Sequence, residues 1–177
     1  MPAAIDAGDT ALAECAALLR EDFASFAACC FRELNPRTPF VTNWHYELVA
    51  AKLAAVRDGR IRRLLISVPP RHLKSHLASV SFPAWCLGHS PSAQILCVSY
   101  AQDLADKLSR DCRRIVMSDW YQRLFPARLA PRHQAVPEFA TTQQGSRLAT
   151  SVGGVLTAHG LKTYPSFSAA PATPRKG

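Results

Sequence analysis

Apolar residues recur at helical spacing in the first third of the chain. Their pattern predicts one amphipathic helix over residues 10–33, which ends before Asn35-Pro36. The side of this helix expected to be buried carries Leu12, Leu19, Phe23 and Phe26. Residues 35–43 contain two prolines and predict a loop, and a second helix is expected from Trp44 to a stop at Gly59.

Two further apolar segments are short and nearly continuous, which is typical of strands in the interior of a sheet. Residues 64–68 run up to two prolines and predict a strand that is buried on both faces. A helix should begin at Lys74, be kinked or interrupted at Pro83 and close at Gly88. Residues 94–100 repeat the apolar pattern and predict a second inner strand.

The pattern becomes clearly helical again after the second predicted strand. A helix over residues 101–120 is expected to place one apolar stripe against the core, consisting of Leu104, Leu108, Cys112 and Ile115. A helical turn over 120–125 should stop at Pro126. Residues 127–137 contain two prolines and predict an irregular connection.

Residues 138–142 and 146–152, separated by Gln-Gln-Gly, predict a β-hairpin, and a glycine-flanked loop over 153–160 follows it. Helices that alternate with strands predict an α/β fold with parallel inner strands. The expected organisation is an N-terminal helical segment (1–34), a main domain (35–160) and a disordered, proline-rich tail (161–177).

Composition excludes several classes of protein. The chain of 177 residues is 48% hydrophobic, which is enough to bury a core and excludes wholesale disorder. No uncharged apolar run approaches the roughly 18 residues of a membrane span, and the Ala-rich N-terminus lacks the basic start of a signal peptide. The six cysteines form no CxxC pair and lie mostly among apolar residues, which predicts buried free thiols in a reducing compartment.

The formal net charge of +8 is unevenly distributed. Residues 1–58 contain five Lys and Arg against eight Asp and Glu, whereas residues 59–177 contain sixteen against five. No acidic residue follows Glu138. A basic majority of this kind favours a polyanionic partner such as DNA, RNA or a nucleotide, and a solvated surface is the alternative.

The segment LLISVPPRHLKS has the layout of a phosphate-binding loop, with a strand, a tight turn and a helix that opens at Lys74-Ser75. Backbone N–H groups at a helix N-terminus present partial positive charge to phosphate. A lysine there reaches the β- and γ-phosphates, and the following hydroxyl can ligate Mg²⁺. Arg71 adds a second cation that suits bidentate phosphate contact.

The match to the pattern G-x-x-x-x-G-K-[ST] is partial. Val68 stands at the first glycine position and Leu73 at the second. The second position matters because the backbone there approaches phosphate closely, where a Cβ can obstruct it. A basic strand-to-helix turn with a capping role is the alternative.

Several separated segments, in order, resemble the N-terminal ATPase domain of the large terminase subunit of tailed phages. The likeness covers roughly residues 30–160 and rests on FRELNPRTPFVTNWHYELVAAKL, RRLLISVPPRHLKS, SYAQDLADKLSRDCRRI, WYQRLFP and RLATSVGGVLTAHG. These proteins are DNA-packaging motors of phages and prophages. The resemblance implies a P-loop NTPase core of the RecA or ASCE type, ATP with Mg²⁺ as cofactor, and a Walker A loop of the form PPRHGKS. Leu73 therefore replaces a glycine of the family, whereas Val68 agrees with the family, in which the first glycine of the pattern is already absent.

The resemblance also implies roles for individual residues. Nucleotide binding falls to Arg71, His72, Lys74 and Ser75, with Ser75 as the magnesium-associated hydroxyl. Trp44 and His45 match the segment that contacts the base. Ser99, Tyr100 and Gln102 match the motif that couples the nucleotide state to DNA. Apart from the resemblance, Arg110, Arg113 and Arg114 lie on one predicted helix and suggest a DNA-facing strip, for which a solvated helix face is at least as good an interpretation.

Carboxylates decide whether such a domain can hydrolyse ATP. Phosphoryl transfer needs an acid to hold Mg²⁺ and an acid or water-orienting group near the γ-phosphate. The family has its Walker B acids after a T-G-R-G segment, but here Thr157-Ala158-His159-Gly160 is followed by no acidic residue. Asp103, Asp106 and Asp111 lie on a predicted helix, where a solvated face is expected, and Glu138 begins a hairpin strand.

The sequence thus predicts a partial terminase ATPase domain, truncated before Walker B and without the nuclease domain, that binds ATP weakly and is defective in hydrolysis alone. The family's partners are double-stranded DNA, the small terminase and portal proteins and other copies in a ring, and its location is the cytoplasm of the bacterial host. The alternative is a non-catalytic, basic remnant that binds nucleic acid or a partner protein. A complete small P-loop kinase or other NTPase is disfavoured because no carboxylate follows Glu138 in these residues.

For the histidines and the tryptophans of this sequence, a structural role is the alternative to a ligand-binding one. His72 and His76 are spaced like a metal-binding pair, but the glutamate of HExxH is missing and Lys74 would repel a cation, so zinc is not expected. The three tryptophans, at positions 44, 85 and 120, are more often core or interface residues than platforms for bases.

Overall fold

The computed structural model describes residues 7–69, 71–152 and 167–168, with side chains described in 13–69, 71–131 and 135–152. The α-helices in this part of the chain are α1 (Ala7–Glu21), α2 (Phe23–Leu34), α3 (Trp44–Arg57), α4 (Phe82–His89), α5 (Gln102–Met117) and α6 (Asp119–Leu124). A π-helix, His76–Ser81, runs directly into α4. None of the helices within the described ranges is long and apolar enough to cross a bilayer.

A mixed sheet lies against these helices. Its strands are β1 (Gln94–Ser99), β2 (Leu129–Gln134), β3 (Glu138–Thr141), β4 (Ser146–Ser151) and β5 (Phe167–Ser168), in the order β2-β3-β4-β1-β5. β1 pairs in parallel with β4 and β5, whereas β2, β3 and β4 pair antiparallel. The predicted α/β class, the second inner strand and the hairpin are therefore confirmed.

The N-terminal helix predicted over residues 10–33 is in fact two helices. Asp22 leaves the helical region, with φ of −103° and ψ of 108°, and caps α2 by accepting a hydrogen bond from the Ser25 N–H at 2.7 Å. An aspartate at this position satisfies one of the donors that the start of a helix leaves unpaired. Phe23 and Phe26, which follow the break, belong to the same hydrophobic core as Trp85 of α4, so the predicted helical segment is packed into the main domain.

The strand predicted over residues 64–68 is wrong. These residues are not assigned to a strand or helix; Leu64 and Ile66 pack against the core, and the Leu65 side chain is 93% exposed. Among the described residues, both edges of β1 pair with other segments, β4 and β5, so this segment is not a neighbour of β1. An apolar run shows that a segment is partly buried, but a strand also needs a partner for its backbone.

The irregular connection predicted over 127–137 is also wrong, because Leu129–Gln134 form the edge strand β2. Its pairing with β3 shifts register between Leu129 and Gln134. Proline is tolerated at a sheet edge, where one side of the strand donates no ladder hydrogen bond. Pro131 is therefore compatible with the edge strand β2, although a proline argues against a strand inside the sheet.

The helix after the basic loop begins at Lys74 as predicted, and its predicted interruption takes the form of the π-helix. Pro83 has no N–H, so the carbonyl of Ser79, four residues earlier, lacks the donor that a regular α-helix supplies. Arg147 of β4 donates from Nη2 to this carbonyl at 2.9 Å. Arg147 is fully buried, and its Nε and Nη1 have no hydrogen-bond partner among the described residues.

The end of α4 depends on close packing. The helix extends to His89, one residue beyond the stop predicted at Gly88. A Cβ at position 88 would lie 2.6 Å from the Phe125 ring, so glycine allows the residue after α6 to approach α4. The buried Tyr121 hydroxyl strengthens the same contact by donating to the Ala84 carbonyl at 2.7 Å.

All six cysteines are free thiols, and Cys30, Cys86, Cys97 and Cys112 are buried as predicted. Burial raises the pKa of Cys112 to about 12, so this thiol stays protonated at neutral pH. The predicted disorder of the tail is wrong for Phe167–Ser168, which form β5. The other residues of 161–177, and the loop predicted over 153–160, lie outside the described residues.

Candidate phosphate-binding site

The basic loop holds two residues in the left-handed region of backbone space. Arg71 has φ of 67° and Leu73 has φ of 57°, a conformation that costs a residue other than glycine roughly 1–2 kcal/mol. Leu73 is the position at which the phosphate-loop pattern has glycine. Lys74 follows at once in helical conformation, and the Leu73 carbonyl accepts the Leu77 N–H at 2.8 Å. The backbone thus keeps the turn that a glycine would favour, with a leucine side chain added.

This loop forms one side of a cavity of about 550 Å³. Arg71, His72, Lys74 and Ser75 line it on the loop side. The opposite walls come from the C-terminal end of α2, with Phe31, Leu34 and Asn35, and from α5. The cavity therefore combines a basic rim with apolar walls, and its volume is typical of a small-molecule site.

The α5 wall carries both charge and apolar surface. Leu104, Lys107, Leu108 and Asp111 line the cavity, and their spacing puts them on one face of the helix. The Lys107 Nζ and the Asp111 carboxylate form an ion pair at 2.7 Å. Leu104 and Leu108 belong to the apolar stripe predicted from the sequence. Lys107 and Asp111 lie beside that stripe, and this spacing is the sequence feature that indicates which face of α5 lines the cavity. Asp111 was instead expected on a solvated face.

The residues predicted to couple nucleotide and DNA are only partly brought to the cavity. Tyr100 lines it with a side chain that is 61% exposed. Ser99 is buried at the end of β1, and its carbonyl accepts the Val152 N–H at 3.0 Å. Gln102, at the start of α5, donates its side-chain amide to the Asp106 carboxylate at 2.8 Å.

The two residues predicted to contact a base do not line the cavity. The Trp44 side chain is 76% exposed at the start of α3, so it is not a core residue. The His45 ring lies 5.0 Å from the His72 ring, measured between centroids. His45 thus contacts the loop through His72, and Trp44 is largely exposed to solvent.

The arginines predicted as a DNA-facing strip differ in environment. Arg110 is exposed on α5, and Arg113 is half-buried. Arg114 donates from Nη2 to the Glu33 carbonyl at 3.2 Å, and its guanidinium lies 3.9 Å from the Glu33 carboxylate. Arg114 therefore helps to hold α5 against α2.

The cavity contains few ligands for a metal ion. Within the described ranges, no group of three or more His, Cys, Asp or Glu side chains is arranged to hold one. The oxygen ligands on its walls include the Ser75 hydroxyl, which makes no capping hydrogen bond, and the Asp111 carboxylate, which is paired with Lys107. Mg²⁺ commonly binds one or two carboxylates together with phosphate oxygens and waters, so these two residues do not fill a coordination shell by themselves.

His76 lies at the inner end of the cavity and is held between neighbouring elements. Its Nε2 is 3.0 Å from the Ala27 carbonyl and 3.1 Å from the Ser81 hydroxyl, and its ring packs edge-on against Phe31. Burial lowers the pKa of His76, Lys107 adds to this effect, and the Ala27 carbonyl and Asp111 oppose it. The cavity therefore holds His76 in its neutral form.

Acidification from pH 7.5 to pH 5.5 is expected to lower the free energy of unfolding. Burial lowers the pKa of His76 and also of His89, where Arg57 contributes further. Each histidine therefore binds fewer protons when folded than when unfolded, so stability is full above about pH 6.5 and is lost as the pH falls toward the folded pKa. Urea unfolding across this range measures the effect.

The control for this prediction is the variant H76Q/H89Q, whose stability should change less with pH. A wild-type stability that stays constant or rises between pH 7.5 and 5.5 would contradict the prediction.

Comparisons with protein families, with curated proteins and with solved structures found no match to this chain.

Proposed function

We propose that the chain is part of the ATPase domain of a tailed-phage terminase large subunit, a P-loop protein that binds ATP at the cavity beside Lys74. The observation that carries the proposal is the backbone of the loop. Leu73, at the position of the pattern's second glycine, has a left-handed backbone, and it directly precedes a lysine that begins a helix and lines a 550 Å³ cavity. Gln144, in the turn between β3 and β4, has a similar φ of 65°, so the backbone of Leu73 supports the proposal only together with the lysine and the cavity that follow it.

The same feature predicts that ATP binding is weak. A Cβ at position 73 stands where the loop backbone has to approach a phosphate closely. Basic side chains on the rim, Arg71 and Lys74, still attract a polyphosphate. The Cβ of residue 73 therefore lowers the affinity for ATP, and the charges of Arg71 and Lys74 preserve part of it.

Turnover is expected to be near background. The described acid on the cavity wall, Asp111, is neutralised by Lys107 and lies on a helix. Efficient phosphoryl transfer needs a carboxylate that holds Mg²⁺ and a second group that orients the attacking water. Among the 177 residues, those after Glu138 include no Asp or Glu and so supply neither group.

The proposed polymer substrate is double-stranded DNA, contacted by the basic part of the chain. Residues 59–177 carry sixteen Lys and Arg against five Asp and Glu, and Arg110 on α5 is exposed to solvent. Phosphate contacts of this kind need no particular sequence. The proposal extends to the family's other partners, the small terminase and portal proteins and neighbouring copies in a ring, and to the cytoplasm of a bacterial host.

The variant L73G is expected to bind ATP about threefold to tenfold more tightly than the wild type, because glycine removes the Cβ that obstructs the approach of a phosphate. L73A is the matched control, since it shortens the side chain but retains the Cβ. Isothermal titration calorimetry gives the affinities, and phosphate release gives turnover, which should stay near background in all three proteins.

Equal tightening in L73A and L73G would show that the Cβ is not the obstruction. If ATP binds to none of the three proteins, the nucleotide proposal fails and the basic nucleic-acid-binding remnant becomes the better interpretation. Robust hydrolysis by the wild type would contradict the proposed lack of catalytic carboxylates.

A further inference from the structure

We infer that the C-terminal end of α2 is the seat for the nucleotide base, and that it selects a base with an exocyclic amino group. This inference rests on the proposed function, because it locates the base of the nucleotide whose phosphates that function places on the basic loop. Phe31, Leu34 and Asn35 line the same cavity as Lys74, so one molecule can contact both ends.

The apolar part of this seat is fixed in place. The Phe31 ring packs against Phe40 at 5.3 Å and edge-on against His76 at 5.6 Å, both measured between ring centroids. Leu34 is half-buried beside it at the last position of α2. A rigid aromatic and aliphatic wall favours a flat, weakly polar group such as a nucleobase over a second phosphate.

Asn35 supplies the polar contact that distinguishes one base from another. Its side-chain Nδ2 donates to the Phe31 carbonyl at 3.1 Å, and its backbone N–H donates to the same carbonyl at 2.9 Å. The Nδ2 bond fixes the side-chain amide and leaves Oδ1 as the atom that accepts. Oδ1 can accept a hydrogen bond from the amino group of adenine, whereas the carbonyl group of hypoxanthine at the same position offers no donor.

The environments of Trp44 and His45 also favour the end of α2 over the start of α3 as the surface that binds the base. Trp44 is 76% exposed, neither Trp44 nor His45 lines the cavity, and the His45 ring packs against His72. A base placed on Trp44 would remain largely in water. The α2 end provides the enclosed surface that the start of α3 lacks.

The test compares ATP, inosine triphosphate and inorganic tripolyphosphate by calorimetry on the wild-type protein, at one fixed Mg²⁺ concentration. ATP should bind about threefold to tenfold more tightly than inosine triphosphate and at least about tenfold more tightly than tripolyphosphate. This comparison uses the native chain and does not depend on the folding of a variant.

The variant N35A should lose the preference for ATP over inosine triphosphate while it retains its affinity for tripolyphosphate. W44A is the matched control at the alternative position, and it should bind ATP as the wild type does. A thermal melt of N35A checks that the loss of its bond to Phe31 has not unfolded α2.

Three results would overturn the inference. Equal affinities of the wild type for ATP and tripolyphosphate would show that no base seat exists, although loop binding would survive. A loss of ATP affinity in W44A, with N35A unaffected, would place the base on α3. If no polyphosphate binds at all, the proposed function and this inference fail together.

Discussion

The variant K74A is expected to lose about 30-fold to 150-fold in affinity for ATP. Lys74 lines the cavity at the start of a helix, and under the proposed function its ammonium group and the first backbone N–H groups of that helix bind the polyphosphate. Loss of a charged hydrogen bond to phosphate costs about 2–3 kcal/mol, which corresponds to this range of affinity. Because the wild type is expected to bind weakly, K74A should show no measurable binding.

Calorimetric titration of ATP into both proteins measures this effect, and K52A is the matched control. Lys52 is exposed on α3 and lines no part of the cavity, so its removal lowers the net charge by the same amount without touching the site. A general effect of charge would weaken binding equally in the two variants. If K74A binds ATP as tightly as the wild type, the loop is not a phosphate site.

The loop and its helix are the part of the candidate site that the sequence predicts well. The residues that determine this turn and the start of the helix, a basic loop, Lys74-Ser75 and an apolar run, are adjacent in the chain, so a local pattern is enough to predict them. The cavity opposite the loop is less predictable because its walls come from α2 and α5, which are distant in sequence. The spacing of Lys107 and Asp111 beside the stripe of Leu104 and Leu108 shows in hindsight which face of α5 forms the wall.

The two strand errors have a common physical origin. Residues 64–68 have the composition of an inner strand, but the described residues give them no neighbour in the sheet. Residues 129–134 contain a proline that argues against a strand, yet they lie at an edge where proline is tolerated. In both cases the outcome depends on which segments lie beside the strand, and local pattern does not specify that.

The role of Arg147 is another feature that no local pattern specifies. In the sequence it is one cation among many in a hairpin, and the natural expectation for it is an exposed position. The structure buries it completely between β4 and the π-helix. Burial raises the pKa of the nearby Cys97 thiol, and the charge of Arg147 partly offsets that effect. A buried guanidinium with few acceptors is costly, so the carbonyl that it reaches must matter to the fold.

The variant R147A is expected to lower the free energy of unfolding by about 2–3 kcal/mol. It leaves the Ser79 carbonyl without its donor and opens a cavity in the core, while the removal of a poorly paired buried charge offsets part of the loss. Urea unfolding of the purified proteins measures this change.

A double-mutant cycle with P83A tests the physical reason. Alanine at position 83 restores an N–H four residues after Ser79, so the carbonyl gains a donor from its own helix. The loss caused by R147A should then be smaller by about 1 kcal/mol in the P83A background than in the wild type. F139A on the neighbouring strand serves as the control, because it creates a buried cavity but removes no hydrogen-bond donor, and its effect should add to that of P83A within about 0.5 kcal/mol. Strict additivity of R147A and P83A would instead show that Arg147 stabilises the core only by filling space, and that the π-helix before Pro83 does not depend on its hydrogen bond.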